Sequence, residues 1–200
     1  YNNSVYIGGS GVASSSNTYA FVSNVTTGTR NYIDNIFWNA RDNASGTGVN
    51  TAIALSTITG ATTDYNILYA NGSGGNTGTL GGVPAPALAD WQTATGQEAH
   101  SLAADPLFVA PTGTATTVDL HVQNSSPAIG AGTPIAAVTD DIDGDVRSAT
   151  APTIGADERQ ASTPPTLQLS FYSKTHVNTG SSSTVTLTLG NTNTSTASLT

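Results

Sequence analysis

Four aspartates crowd into one short stretch, Asp140, Asp141, Asp143 and Asp145, with Gly144 among them; nothing else in the 200-residue chain is as densely acidic. Ca²⁺ takes hard oxygen ligands from alternate positions of a loop that a glycine lets bend. Asp141, Asp143 and Asp145 are therefore candidate calcium ligands, and calcium is the one cofactor the residues suggest. The glycine is not where an EF-hand loop places it, and no Glu follows at the required distance, so that motif is excluded. The plainer reading is structural: Arg147 forks onto one or two of these carboxylates, or onto Asp157 or Glu158, and pins the closing part of the chain.

Catalytic constellations are scarce. The first 80 residues carry only Arg30, Asp34, Arg41, Asp42 and Asp64 as charged groups. Arg30 with Asp34, and Arg41 with Asp42, read as solvated pairs at turns, which contribute little. His100, His121 and His176 lack metal-ligand spacing and read as surface or strand-edge histidines. No Ser-His-Asp order with a nucleophile-elbow context is present, and Gly72-Ser73-Gly74-Gly75 opens no helix as a phosphate loop would. No catalytic residue is assigned. Tyr6, Tyr19, Tyr32, Trp38, Tyr65 and Tyr69 admit two readings, a sugar-binding face or rings stacked inside the fold. Internal stacking is favoured, with Trp38 and Tyr69 in contact. Asn2, Asn24, Asn43, Asn71, Asn124 and Asn193 each begin an Asn-x-Ser/Thr sequon and are candidate glycosylation sites.

The elements that position these residues follow from a recurrence. Asn35-Ile36-Phe37-Trp38-Asn39-Ala40 returns as Asn66-Ile67-Leu68-Tyr69-Ala70-Asn71, and Asn3-Ser4-Val5-Tyr6-Ile7 precedes both at a similar interval. Tyr19-Ala20-Phe21-Val22 and Ala52-Ile53-Ala54-Leu55 form a second series half a period out of step. Short apolar runs repeating at about 31 residues, bounded by Gly-rich turns, point to a repeat architecture. No two runs are joined by a two-residue hairpin loop, so the strands are expected to lie parallel, one turn of chain over the next. Asn35 over Asn66 would then form a ladder of amides along the stack. One helix is expected at Ala87–Gly96, with Leu88, Trp91 and Ala94 on one face and Trp91 plugging the side of the stack. Thr163-Pro164-Pro165-Thr166 reads as a stiff linker. Beyond it, Leu167–Phe171 and Thr184–Leu189 alternate as half-buried strands do.

Composition sets the class. Charged residues make up 9% of the chain, against roughly 25% in an ordinary soluble domain, yet 37% hydrophobic residues leave a core to bury. A net charge of −8 excludes a nucleic-acid backbone as partner. No run approaches the roughly 20 apolar residues of a membrane span. The chain contains no cysteine, which rules out disulfides and thiolate metal sites. It does not begin with Met and is read as a mature product or a piece of a longer one.

The coil-like phrases at 34–39 and 64–69 resemble the right-handed parallel β-helix of secreted and cell-surface proteins, the pectate-lyase-like superfamily. Asp105 to Phe108, Ser126 to Gly132, Asp141 to Arg147 and Ile154 to Glu158 resemble, in that order, the closing segment of such proteins. The likeness spans about residues 1–158. Gly130 stands where the family often has Asp. Residues 167–200 resemble the opening strands of a bacterial immunoglobulin-like repeat. The resemblance implies an all-β protein: coils and capping segment over 1–160, a Pro-rich linker over 161–166, and a partial Ig-like sandwich over 167–200.

The function expected on this basis is an extracellular, non-catalytic, structural or adhesive cell-surface protein or fibre subunit. It would assemble by strand donation or end-to-end stacking. Partners would be further copies, other surface chains or a polysaccharide, with no nucleic acid and no membrane insertion. Two alternatives stay open. A polysaccharide lyase or glycoside hydrolase rests on fold-level analogy alone and needs clustered acids and bases in a groove; a carbohydrate-binding module needs exposed coplanar rings.

Overall fold

The structure, a computed structural model, describes residues 1–10, 15–43 and 45–159. The chain divides into two units at Thr163/Pro164, and the described residues all belong to the first. The expected linker at 161–166, the strands at 167–200, His176 and Asn193 lie outside the described residues.

The described chain is mostly β-structure. Strands that recur along the sequence lie parallel, each beside its counterpart from the preceding repeat. Strands β1 (Ser4–Ile7), β4 (Ile36–Asn39) and β7 (Ile67–Tyr69) form one parallel sheet. Strands β2 (Thr18–Ser23), β5 (Asn50–Leu55) and β8 (Gly75–Leu80) form a second, and β3 (Arg30–Ile33) and β6 (Ala61–Asp64) a third. Register follows the sequence recurrence: Phe37 lies beside Leu68, Trp38 beside Tyr69, and Phe21 beside Ile53. The spacing contracts in the last passage, where Asn76 pairs with Thr51, 25 positions earlier. Strand β8, Gly-Asn-Thr-Gly-Thr-Leu, carries no apolar alternation and is ordered by β5 beside it.

After β8 the pattern stops. Strand β9 (Val83–Ala85) turns back antiparallel to β8, and helix α1 (Leu88–Thr95) follows. The helix start is set by Asp90, whose carboxylate accepts from the Ala87 N–H at 3.0 Å. Its stop is Gly96, left-handed at φ 68°, donating its N–H to the Gln92 carbonyl. Trp91 and Thr95 are the buried residues of the helix and Ala94 is exposed, so the inward face runs Leu88, Trp91, Thr95 rather than through Ala94. Trp91 is fully buried in the cluster of Phe37, Ile53, Leu55 and Leu68, contributed by two facing sheets. It therefore closes the end of the interior after the last passage, and does not lie against the side. Gln97 finishes the third sheet: its side chain accepts from Thr63 N–H at 2.6 Å and donates to Ala61 C=O at 2.9 Å, standing in for a strand beside β6.

All four residues of β4 are buried, which one-sided alternation does not produce. Phe37 faces the interior, where it stacks on Phe21 at 4.9 Å. Ile36 and Trp38 face outward and are covered by Phe108, Val122, Ala128 and Ile154. These belong to the segment after α1, which includes the antiparallel pair β10 (Phe108–Ala110) and β11 (Asp119–Val122). That segment is a second layer on the outer face of the first sheet. Trp38 and Tyr69 are in contact, centroids 5.7 Å apart and tilted by 46°, but under this outer layer with Phe108 and Tyr6, and not on the inner face with Phe37. Residues in strand order alternate faces, so Trp38 and Phe37 cannot share one.

Gly78 on β8 is set by Trp91, since a Cβ there would lie 2.2 Å from the indole. Gly78→Ala is expected to lower the urea midpoint, by about 1–3 kcal/mol of stability. Tryptophan fluorescence through the unfolding transition reads it.

Candidate functional site

The residues that recur are bonded to one another. Asn3 Nδ2 donates to Asn35 Oδ1 at 2.8 Å, and Asn35 Nδ2 donates to Asn66 Oδ1 at 3.0 Å. Each acceptor also takes the backbone N–H of the asparagine before it, at 3.1 and 2.9 Å. The residue preceding each rung is left-handed: Asn2 at φ 52°, Asp34 at 58°, Tyr65 at 54°. That corner turns the third sheet into the first and aims the amide along the stack.

Sequence reasoning missed how the ladder ends. Asn66 Nδ2 donates to Glu98 Oε2 at 3.1 Å, and Glu98 is completely buried. Its Oε1 accepts from Trp91 Nε1 at 3.2 Å and from the Thr63 hydroxyl; Oε2 also accepts from the Ser101 hydroxyl. Ser101 Oγ in turn accepts the Asn66 N–H at 2.8 Å, taking the place of the missing next amide. One signal was available, because Glu98 follows Asn66 by 32 positions, the ladder's own interval.

Asp34, one residue before a rung, is fully buried and does not pair with Arg30. Its Oδ1 accepts from the Thr133 N–H at 3.0 Å, tying the outer layer to the corner, while Oδ2 has no partner. Burial pushes its carboxyl up to about 6, and the Thr133 N–H only partly offsets this. The Arg30 guanidinium donates to the Val25 and Thr59 carbonyls. Asp42 accepts from Ser73, not from Arg41. Both expected surface pairs are therefore absent, because backbone carbonyls and N–H groups of adjacent passages lie closer than the neighbouring charge.

The acidic cluster divides. Asp141 is consumed by backbone: Oδ1 accepts from Asp143 N–H at 2.9 Å and Asp145 N–H at 2.8 Å, and Oδ2 from Glu158 N–H at 2.8 Å. Burial raises its pKa, and these three donors more than offset that, leaving it below the usual carboxylate value. Asp145 has no place in the set of atoms that converge nearby. Of the three candidate calcium ligands Asp141, Asp143 and Asp145, only Asp143 belongs to that converging set. Arg147 reaches Glu158 at 3.4 Å and donates to the Thr153, Gly155 and Ala156 carbonyls. Asp157 stays out of that knot: its Oδ2 accepts from Val122 N–H at 2.8 Å and lies 3.7 Å from Arg159 Nε.

Asp143 instead meets a histidine. His121 Nε2 lies 2.6 Å from Asp143 Oδ2, while His121 Nδ1 contacts Asp119, two residues back on β11. Bonds to Asp119 and Asp143 raise the imidazole pKa, and the His121 N–H and ring hold Asp119 below its usual value. His121, Asp143 and Asp157 each offer an atom within 4.8 Å of the others. They line a surface cavity of about 530 Å³ with Asn124, Asp145 and Arg159. No spacing rule joins 121, 143 and 157; only the outer layer's folding brings them together. His100 is held apart, bonded to Asp64 at 2.8 Å and stacked on Tyr65.

Among the sequons, Asn24, Asn71 and Asn124 are exposed and Asn2 half-buried. Asn43 is buried, its Nδ2 donating to the Gly48 carbonyl at 2.6 Å, so the folded chain offers no glycan attachment there. Among the described residues no helix is long and apolar enough to cross a membrane.

Two substitutions probe this site. Glu98→Gln is isosteric, yet one end of the new amide must present its own N–H to either Trp91 Nε1 or Asn66 Nδ2, neither of which can accept. It is expected to cost about 2–4 kcal/mol in urea unfolding. For Asp34, both folded and unfolded chains are protonated below the unfolded value of 3.8, and above about 6 the folded chain must bury a charge. Stability contributed by this group thus falls as pH rises from 3.8 to about 6, by roughly 3 kcal/mol. The difference between wild type and Asp34→Asn, followed by denaturation at several pH values, shows that fall, and the variant alone lacks it.

Set beside known proteins, the chain matches no family model, no curated protein and no solved structure, so the chemistry of the site rests on its own residues.

Proposed function

We propose that residues 1–159 are turns of a right-handed parallel β-helix of the secreted and cell-surface kind, closed by a C-terminal covering layer. The chain acts outside the cell as a stiff, non-catalytic building block of an adhesin, stalk or fibre. One observation carries this reading: like side chains sit over like in register, with the amides of Asn3, Asn35 and Asn66 bonded in one direction. A ladder of this kind adds stability with each turn and suits a load-bearing stack.

Among the described residues β1, β2 and β3 pair with a neighbour on one edge only. Among the described residues Asn3 Oδ1 accepts no bond, although the equivalent oxygens of Asn35 and Asn66 take two each. That edge fits one more turn of the same design, from this chain or another, with an asparagine at the rung.

Fusing a copy of the second turn, residues 35–65, ahead of Asn3 is expected to raise the thermal midpoint by several degrees. A midpoint that stays level or falls removes the stacking reading. Pectin and alginate incubated with the protein are expected to keep their chain length; turnover of either polymer removes the non-catalytic half of the proposal.

A further inference from the structure

We propose that His121 Nε2, Asp143 and Asp157 bind one divalent transition-metal ion of the zinc type, with Asp119 orienting the imidazole, and that the ion clips strand β11, the 140–146 loop and residues 154–159 together. This is independent of the stacking reading, since none of these residues belongs to the ladder.

The ligand atoms already converge within 4.8 Å of one another. A tetrahedral zinc shell, with bonds of about 2.0–2.2 Å, has edges of about 3.4 Å. Side-chain rotation closes that difference, and the exposed Asp143 is free to make it. The contact of Asp119 with Nδ1 leaves Nε2 as the metal-facing nitrogen, the carboxylate–histidine–metal arrangement that fixes ring orientation and ligand basicity. Nε2 and Asp143 Oδ2 lie 2.6 Å apart, and the ion would stand in place of the contact between them.

A second observation comes from Asp157. It is only 6% exposed. Its Oδ2 is engaged by Val122 N–H and lies near Arg159, but Oδ1 has no hydrogen-bond partner among the described residues. Asp157 lines the same cavity as His121 and Asp143, so a carboxylate oxygen that no donor takes is available to a cation entering there. Arg159 neutralises it only in part: its Nε pairs with Asp157 Oδ2 at 3.7 Å while its Nη1 donates to Asn124 Oδ1 at 2.7 Å. The carboxylates of Asp119, Asp143, Asp145 and Asp157 outnumber that single guanidinium, so the site attracts a cation. Imidazole beside two carboxylates selects zinc, nickel or copper over calcium, which prefers six to eight oxygens. Three protein ligands leave a position for water.

Titration calorimetry and thermal unfolding of the chelator-treated full chain with Zn²⁺, Co²⁺ and Ca²⁺ test this. Zn²⁺ is expected to bind one per chain and, at a hundredfold excess over Kd, to raise Tm by about 5–10 °C. Co²⁺ should give the visible absorption of a four- or five-coordinate N/O site, and Ca²⁺ no shift. Asp143→Asn, whose carboxylate bonds only His121, should keep the metal-free circular dichroism and Tm and lose at least a hundredfold in affinity. Asp119→Asn should lose about 10–100-fold, and Asp145→Asn should bind as wild type does. Absence of Zn²⁺ binding overturns the proposal. So does binding that survives Asp143→Asn, which would place the ion at another histidine, or a Ca²⁺ response that Zn²⁺ does not match.

Discussion

An amide buried in a stack must donate and accept, and each rung of the asparagine ladder can meet that need only from the rung beyond it. Asn35 serves Asn3 and is served by Asn66. The bonds run in one direction, so the last donor needs an acceptor with no further demands. Glu98 is that acceptor: it takes two N–H and two O–H donors on its two oxygens. Ser101 supplies the remaining oxygen for the Asn66 backbone. The geometry of the passages, with left-handed corners at Asn2, Asp34 and Tyr65, follows from keeping those amides aligned.

Ending the ladder and closing the interior are one event. Trp91 fills the apolar end of the interior and donates its indole N–H to Glu98, so the carboxylate and the ring hold each other in place. Helix α1, short and weakly amphipathic, gains its position from that contact more than from its own propensity. Gln97 then occupies the unpaired edge of β6, which would otherwise leave backbone groups without partners.

The outer layer follows a different logic. It covers Ile36, Trp38 and Ile67 with apolar residues, but its own path is held by polar groups set on backbone: Asp34 on Thr133, Asp141 on three N–H groups, Arg147 on three carbonyls and Glu158. With little regular secondary structure beyond the β10–β11 pair, that segment has few ladder hydrogen bonds to direct it, and charged side chains do much of the directing. This explains why a chain with so few charges concentrates them between residues 140 and 159. It also explains why Asp157 and Asp143, once those bonds are made, are left facing His121.

The sequence by itself determined the recurrence, the asparagine rungs and the position of the helix. These are local or strictly periodic, and periodicity survives in one dimension. It did not show β8, whose Gly and Thr residues are ordered by β5, nor the face on which Trp38 and Tyr69 lie, since both faces of β4 are buried. Only the tertiary structure decided the partners of Asp34, Asp143 and Glu98. Each is chosen by whichever unpaired donor lies within about 3 Å after folding, and no spacing along the chain encodes that distance.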